Sequence, residues 1–179
     1  VKLTWTSDQN ITFEKIITLD ENYLFSVDQR VINNSGLSFD LYPYGLSKRQ
    51  GIPEMQNFFI LHEGPLSITD GVLEEYDYDD LKDDKKIKHS SVGGWIGMTD
   101  KYWQTAIIPN QNEPVQQTYS YSFVDNIDNF QTDIVGERIA VSNNASISHN
   151  FKIFAGPKIV NIIDKYMEEY GSVSYTHLR

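Results

Sequence analysis

An all-β fold, an antiparallel sandwich carrying one amphipathic helix near its C-terminal end, is what the sequence predicts. Three observations predict it. Apolar and polar residues alternate in many short stretches, Asn, Gly and Pro clusters separate those stretches, and one late segment repeats its apolar residues every three to four positions. A parallel α/β fold would need more helices. The 179 residues carry 25 acidic and 15 basic side chains, a net charge of -10, and are 40% hydrophobic and 13% aromatic. A chain of this length buries roughly 70% of the surface its unfolded form exposes, which suits one domain with a sizeable core.

The strands follow in order. Ile11, Phe13, Ile17 and Leu19 line one face of a half-buried strand, and Asp20-Glu21-Asn22 turns the chain. Tyr23, Phe25, Val27 and Val31 form a second run ending at Asn33-Asn34-Ser35-Gly36, where Asn and Gly accept the positive φ of a tight connection. Leu37, Phe39 and Leu41 resume the alternation. Pro43, Gly45, Gly51 and Pro53 make the stretch from Tyr42 to Glu54 an edge strand and loop, and Phe58 to Leu61 and Pro65 to Thr69 are short strand candidates. Acidic residues crowd the segment from Glu63 to Asp84 against the single Lys82, which predicts a solvated loop with a short strand from Leu73 to Tyr78.

Gly93-Gly94-Trp95-Ile96-Gly97-Met98, a turn at Thr99-Asp100, and Lys101 to Pro109 read as a hairpin with aromatic residues on both arms. Tyr119, Tyr121 and Phe123 alternate with Thr118, Ser120 and Ser122 in the cleanest strand pattern of the chain. Ile139 to Val141 and Ile147 to Ile153 add further strands. The helix is predicted to start at Pro157, a favoured first helical residue, and carries Ile159, Ile162, Ile163, Tyr166, Met167 and Tyr170 on one stripe before Gly171.

Composition narrows the function. With no cysteine there is no disulfide framework, thiolate zinc site or cysteine nucleophile. The acidic balance repels phosphate backbones and anionic lipid, so nucleic-acid binding is not expected. Apolar runs such as Phe58 to Leu61 are far shorter than the about 20 residues of a membrane span, and Val1 to Asn10 lacks the basic and apolar regions of a signal peptide.

The candidate sites each have a bland competitor. Asp77, Asp79, Asp80, Asp83 and Asp84 invite a calcium loop, but Lys82 stands where that loop needs glycine and Lys88 where it needs glutamate, so a solvated face is expected. His62, His89, His149 and His177 lack the i, i+4 pairing of a zinc helix and are assigned to surface or rim. Gly93, Gly94 and Gly97 lack the Gly-Lys-Ser/Thr continuation of a phosphate cradle and read as strand entry with a bulge. Trp95, Tyr102 and Trp103 suit core packing better than a sugar-stacking platform, a choice that exposure decides. The triplets at Asn10, Asn33 and Asn144 match the glycosylation pattern, which arises by chance in an Asn-rich chain.

The block from Gly93 to Met98, followed by Lys101-Tyr102-Trp103-Gln104-Thr105-Ala106-Ile107-Ile108-Pro109, closely resembles the YidC family of bacterial membrane protein insertases. Ile11 to Lys15 and Phe154-Ala155-Gly156-Pro157-Lys158 resemble the large periplasmic domain of that family, and the resemblance spans roughly residues 3 to 171. It implies a twisted β-sandwich similar to that of galactose mutarotases, held in the periplasm beside the inner membrane, with Gly93, Gly94, Trp95, Tyr102, Trp103, Thr105, Pro109, Gly156 and Pro157 as structural motif residues. It also implies partners, namely Sec translocon subunits such as SecF and nascent inner-membrane proteins met through the full-length protein, and no cofactor. The helix, with Lys158, Ile162, Ile163, Tyr166 and Met167, is the expected coupling element to a membrane core that performs insertion.

Two departures accompany the resemblance. Family domains usually extend further on the N-terminal side, so residues 1–171 are expected to lack the first strands of the sandwich, leaving an unpaired edge or uncovered apolar face. Residues 172–179 leave the family pattern and read as a foreign tail. The rival class is a carbohydrate-binding or mutarotase-like protein, which would need a pocket and, for epimerase chemistry, a histidine and a carboxylate both within hydrogen-bond reach of one sugar ring.

Overall fold

A computed structural model of the chain describes residues 1–52 and 62–169. Three antiparallel sheets carry the fold. The largest has eight strands in the order β1 (Lys2–Thr6), β2 (Ile11–Leu19), β3 (Leu24–Asn33), β14 (Ala145–Pro157), β10 (Trp103–Ile108), β9 (Trp95–Thr99), β6 (Gly64–Thr69) and β7 (Val72–Glu75). A second sheet orders β5 (Tyr44–Gln50), β12 (Ile127–Gly136), β11 (Pro114–Val124) and β8 (Lys86–Val92), and β13 (Ile139–Val141) pairs with β4 (Phe39–Leu41). Two helices complete it, α1 (Tyr78–Asp84) and α2 (Val160–Glu169).

Two cores follow from strand alternation. On one face of the large sheet Ile96, Met98, Ile107 and Phe151 meet Val115, Tyr119, Phe130 and Ile134 of the four-stranded sheet, all buried. On the opposite face Leu24, Leu66, Ile68, Trp95, Ala106, Ile108 and Phe154 receive Ile163 and Tyr166 of α2. The period of two thus gives the central strands two buried faces, and the helix covers one of them. At the far edge β1 is exposed throughout, with Leu3 53% and Trp5 62% exposed and the Trp5 ring stacked 5.5 Å from Phe13.

The predicted hairpin is present, with Ala106 opposite Gly97 and Ile107 opposite Ile96. The edge assignment of the segment after Tyr42 also holds, because β5 borders its sheet. Two expectations are corrected. The Pro65 to Thr69 candidate is the buried strand β6, but the rest of the acidic segment is not a solvated loop: its second strand stops at Glu75, and α1 follows. Only Tyr78 and Leu81 of α1 are buried, three positions apart, so composition hides an amphipathic turn; the Asp77 N–H donates to the Asp80 carboxylate at 3.1 Å and starts it. The late helix begins at Val160 and not at Pro157, which is the last residue of β14, opposite Trp103. The Ala155 N–H still donates to Tyr23 O, but β3 offers nothing opposite residue 157, so the missing proline N–H costs no ladder bond there. The strand candidate Phe58 to Leu61, and His177 with the tail, lie outside the described residues.

Candidate contact surface

The motif block builds the junction between the two cores. Gly93 and Gly94 take φ of +67° and +72°, and a Cβ at Gly94 would stand 2.1 Å from the Ile68 carbonyl oxygen, so the chain enters β9 only through glycine. Gln111 clamps this entry: its Oε1 accepts from the Gly94 N–H at 3.0 Å, and its Nε2 donates to the carbonyls of Gly94 at 3.0 Å and Pro109 at 2.9 Å. Pro109 ends β10 beside it. The Thr105 hydroxyl meets the Ser47 hydroxyl at 2.9 Å and ties β10 to β5 across the sandwich. Sequence reasoning missed Gln111 and Ser47, because a polar side chain in a loop or strand carries no signal of which carbonyl or hydroxyl it will face.

Exposure divides the aromatic cluster. Trp95 is buried beneath α2, whereas Tyr102 and Trp103 at the hairpin tip are 64% and 60% exposed. The Lys158 N–H donates to Tyr102 O at 2.8 Å, which sets Ile159 and Val160, 45% and 47% exposed, beside that tip. Four exposed large apolar residues therefore belong to the segments that meet where β10 begins, β14 ends and α2 starts. Solvent gains nothing from such a cluster, and exposed apolar patches of this kind mark contact surfaces.

The coupling-helix residues are fixed to the sheet. Ile162 packs against the outer core and Ile163 and Tyr166 are buried in it, while the Met167 side chain lies outside the described residues. Ile159 O accepts from the N–H groups of Ile162 and Ile163 and opens the helix. Lys158 Nζ donates to Thr99 Oγ1 at 2.8 Å, and burial holds its ammonium pKa below the usual lysine value. The Tyr166 hydroxyl donates to Asp20 in a short hydrogen bond. Burial first, and this bond second, push the Tyr166 pKa up to about 12. Burial also raises Asp20, but hydrogen bonds from Tyr166 and from the N–H groups of Leu24 and Asn22 outweigh it and leave the carboxyl below its ordinary value. Asp20 thus joins the β2–β3 turn to α2. Gly156 keeps that corner closed, since a Cβ there would lie 2.6 Å from the Tyr23 Cβ.

The three described histidines are half-buried and do not converge. His62 faces Pro65 O at 3.1 Å, His89 meets the Tyr76 hydroxyl at 2.8 Å, and His149 Nε2 lies 2.9 Å from Glu113 Oε2. The last is a histidine–carboxylate pair at the wall of a cleft of about 650 Å³. Among the described residues no group of three or more His, Asp or Glu is placed to hold a metal ion. No helix among them is long and apolar enough to cross a membrane.

Comparison with known proteins gives the family. A family model described as YidC periplasmic domain matches residues 1–175. The membrane protein insertase YidC of Rickettsia canadensis is 38% identical over 172 residues, which is 96% of this chain and 31% of that protein. The same-named protein of Pelagibacter ubique is 40% identical over 169 residues, 94% of this chain and 29% of the relative. The chain therefore spans about a third of the length of the relatives it matches. Among solved structures, one described as a "putative aldose 1-epimerase" from Klebsiella pneumoniae aligns over 94% of this chain and 53% of its own, with a TM-score of 0.47 and 10% identity.

Proposed function

This chain belongs to the YidC periplasmic-domain family, a periplasmic part of an inner-membrane insertase, and on that premise we propose that it supports membrane-protein insertion through protein contacts and not through chemistry. One observation carries the reading: Tyr102, Trp103, Ile159 and Val160 are exposed together on a rigid corner from which α2 departs. The partners proposed are Sec translocon subunits, SecF first among them, and nascent inner-membrane proteins reached through the full-length insertase. In this reading α2 is the coupling element. Ile163 and Tyr166 hold it to the large sheet, so a load applied at the corner moves helix and sandwich as one body. The motif glycines and Pro109 shape the corner, and Gly156 with Pro157 aims the chain into the helix.

The test is the double variant Tyr102→Ala/Trp103→Ala in the full-length insertase. Both side chains are exposed, so folding should be unchanged, while recovery of SecF with the insertase from solubilised membranes falls by at least roughly tenfold if the pair anchors the contact. Undiminished recovery of SecF would remove the corner as the docking surface.

A further inference from the structure

A second surface lies in the large sheet itself, where β14 outruns its neighbour. β14 pairs with β3 over the whole of Ala145 to Phe154, but with β10 only from Lys152 to Pro157. Ile108 opposite Lys152 is the last pair; Pro109 has no N–H to offer, and the chain turns away through Asn110, whose carbonyl accepts from the Glu113 N–H at 3.2 Å. The strand geometry fixes which groups are left. In an antiparallel ladder alternate residues bond to alternate sides. The Ala155 N–H donates to Tyr23 O and the Lys158 N–H to Tyr102 O, so odd-numbered residues of β14 face β3 and even-numbered ones face β10. Beyond Ile108, Ser146, Ser148 and Asn150 therefore aim their main-chain N–H and C=O groups at a lane that no described strand fills.

The lane opens onto the cleft of about 650 Å³, walled by Ile108, Pro109, Gln111 and Glu113 on one side and by Ser148 and Asn150 on the other. The side chains of β14 lean away from it: Asn150 Nδ2 donates to Asp28 Oδ1 at 2.6 Å and Arg30 to Ser146 Oγ at 3.4 Å, both toward β3. The His149–Glu113 pair bridges beneath, from β14 to the loop that leads into β11. What remains in the plane of the sheet is a row of backbone donors and acceptors at strand spacing, the signature of a site for strand addition.

We propose that this lane binds an extended polypeptide segment, neutral or basic in charge, which adds to the free edge of β14 in the path that β10 vacates. The occupant follows from the chemistry. Main-chain pairing reads backbone and not sequence, and Glu113 and Glu169 against the single Lys152 in the lining, together with a net charge of -10, disfavour an acidic segment. The segment belongs to a client polypeptide; that identity rests on the protein-contact reading above, whereas the binding itself does not.

The test uses the full-length insertase in detergent, followed by amide hydrogen exchange, and two acetylated octapeptides, one alternating Thr with Lys and one alternating Thr with Glu. In the free chain the amides of Ser146, Ser148 and Asn150 exchange fast, and the Thr-Lys peptide slows them at least roughly tenfold, the Thr-Glu peptide less. Ser148→Pro removes an outward N–H and places a ring in the lane, and is expected to weaken peptide binding about tenfold or more, with the β3 ladder kept. If that variant fails to fold, exchange in the unmodified chain still decides. Three amides already protected in the free chain would show that the chain fills its own lane and would overturn the proposal. So would equal protection by galactose, which would mark a saccharide site, or unchanged exchange at millimolar peptide. None of these results bears on SecF recovery, so the two readings fail separately.

Discussion

A methyl group at position 94 would stand 2.1 Å from the Ile68 carbonyl oxygen on a backbone at φ +72°, and neither the strand nor the turn can retreat without opening the entry of β9. Gly94→Ala is therefore expected to cost about 3 kcal/mol or more, read as a lowered denaturant midpoint. Gln111 closes the same corner by three hydrogen bonds, which makes it a structural partner of the glycines although its position in the sequence gave no hint of it. The Tyr166–Asp20 bond has a pH consequence. Because the folded Tyr166 pKa stands at about 12 against an ordinary tyrosine value of 10.0, the helix anchor is fully effective below pH 10 and is lost as pH rises toward 12. Tyr166→Phe should remove this alkaline loss and cost about 1 to 3 kcal/mol at neutral pH, measured by unfolding curves at several pH values.

The helix α2 touches the sandwich through a narrow stripe, so its docking depends on few side chains. Ile163→Ala empties a site between Trp95, Ala106, Ile108 and Phe154 and is expected to cost about 2 to 5 kcal/mol, with the amides of α2 exchanging faster than those of the central strands. That stripe was legible, since its apolar residues recur at helical spacing. Its starting point was not: proline suits a first helical turn and a strand end equally, and only the partner strand β10 decides between them. The strands were legible for the same reason of periodicity, as at β11, although Phe123 near the end of that strand is exposed and Thr118 buried, because the partner sheet covers only part of its length. The helix α1 was hidden because its burial rests on Tyr78 and Leu81 alone within a run of aspartates. At the candidate surface the residue types were readable but not their exposure. Trp95 and Trp103 look alike in sequence and face a core and solvent respectively, because the pleat and the helix placement separate them.

The whole molecule presents a stiff double-cored sandwich with two kinds of unfinished surface. One is the apolar corner of Tyr102, Trp103, Ile159 and Val160; the other is polar backbone along β14. The chain carries a net charge of -10, which disfavours binding to phosphate and anionic headgroups. The most direct measurement places a photoreactive phenylalanine analogue at Trp103 of the full-length insertase in intact inner membranes, with the equally exposed Phe123 of the four-stranded sheet as the control. Adducts with SecF or another translocon subunit at position 103 and none at 123 are the predicted result; the same faint adducts at both positions, or none at either, would contradict the account.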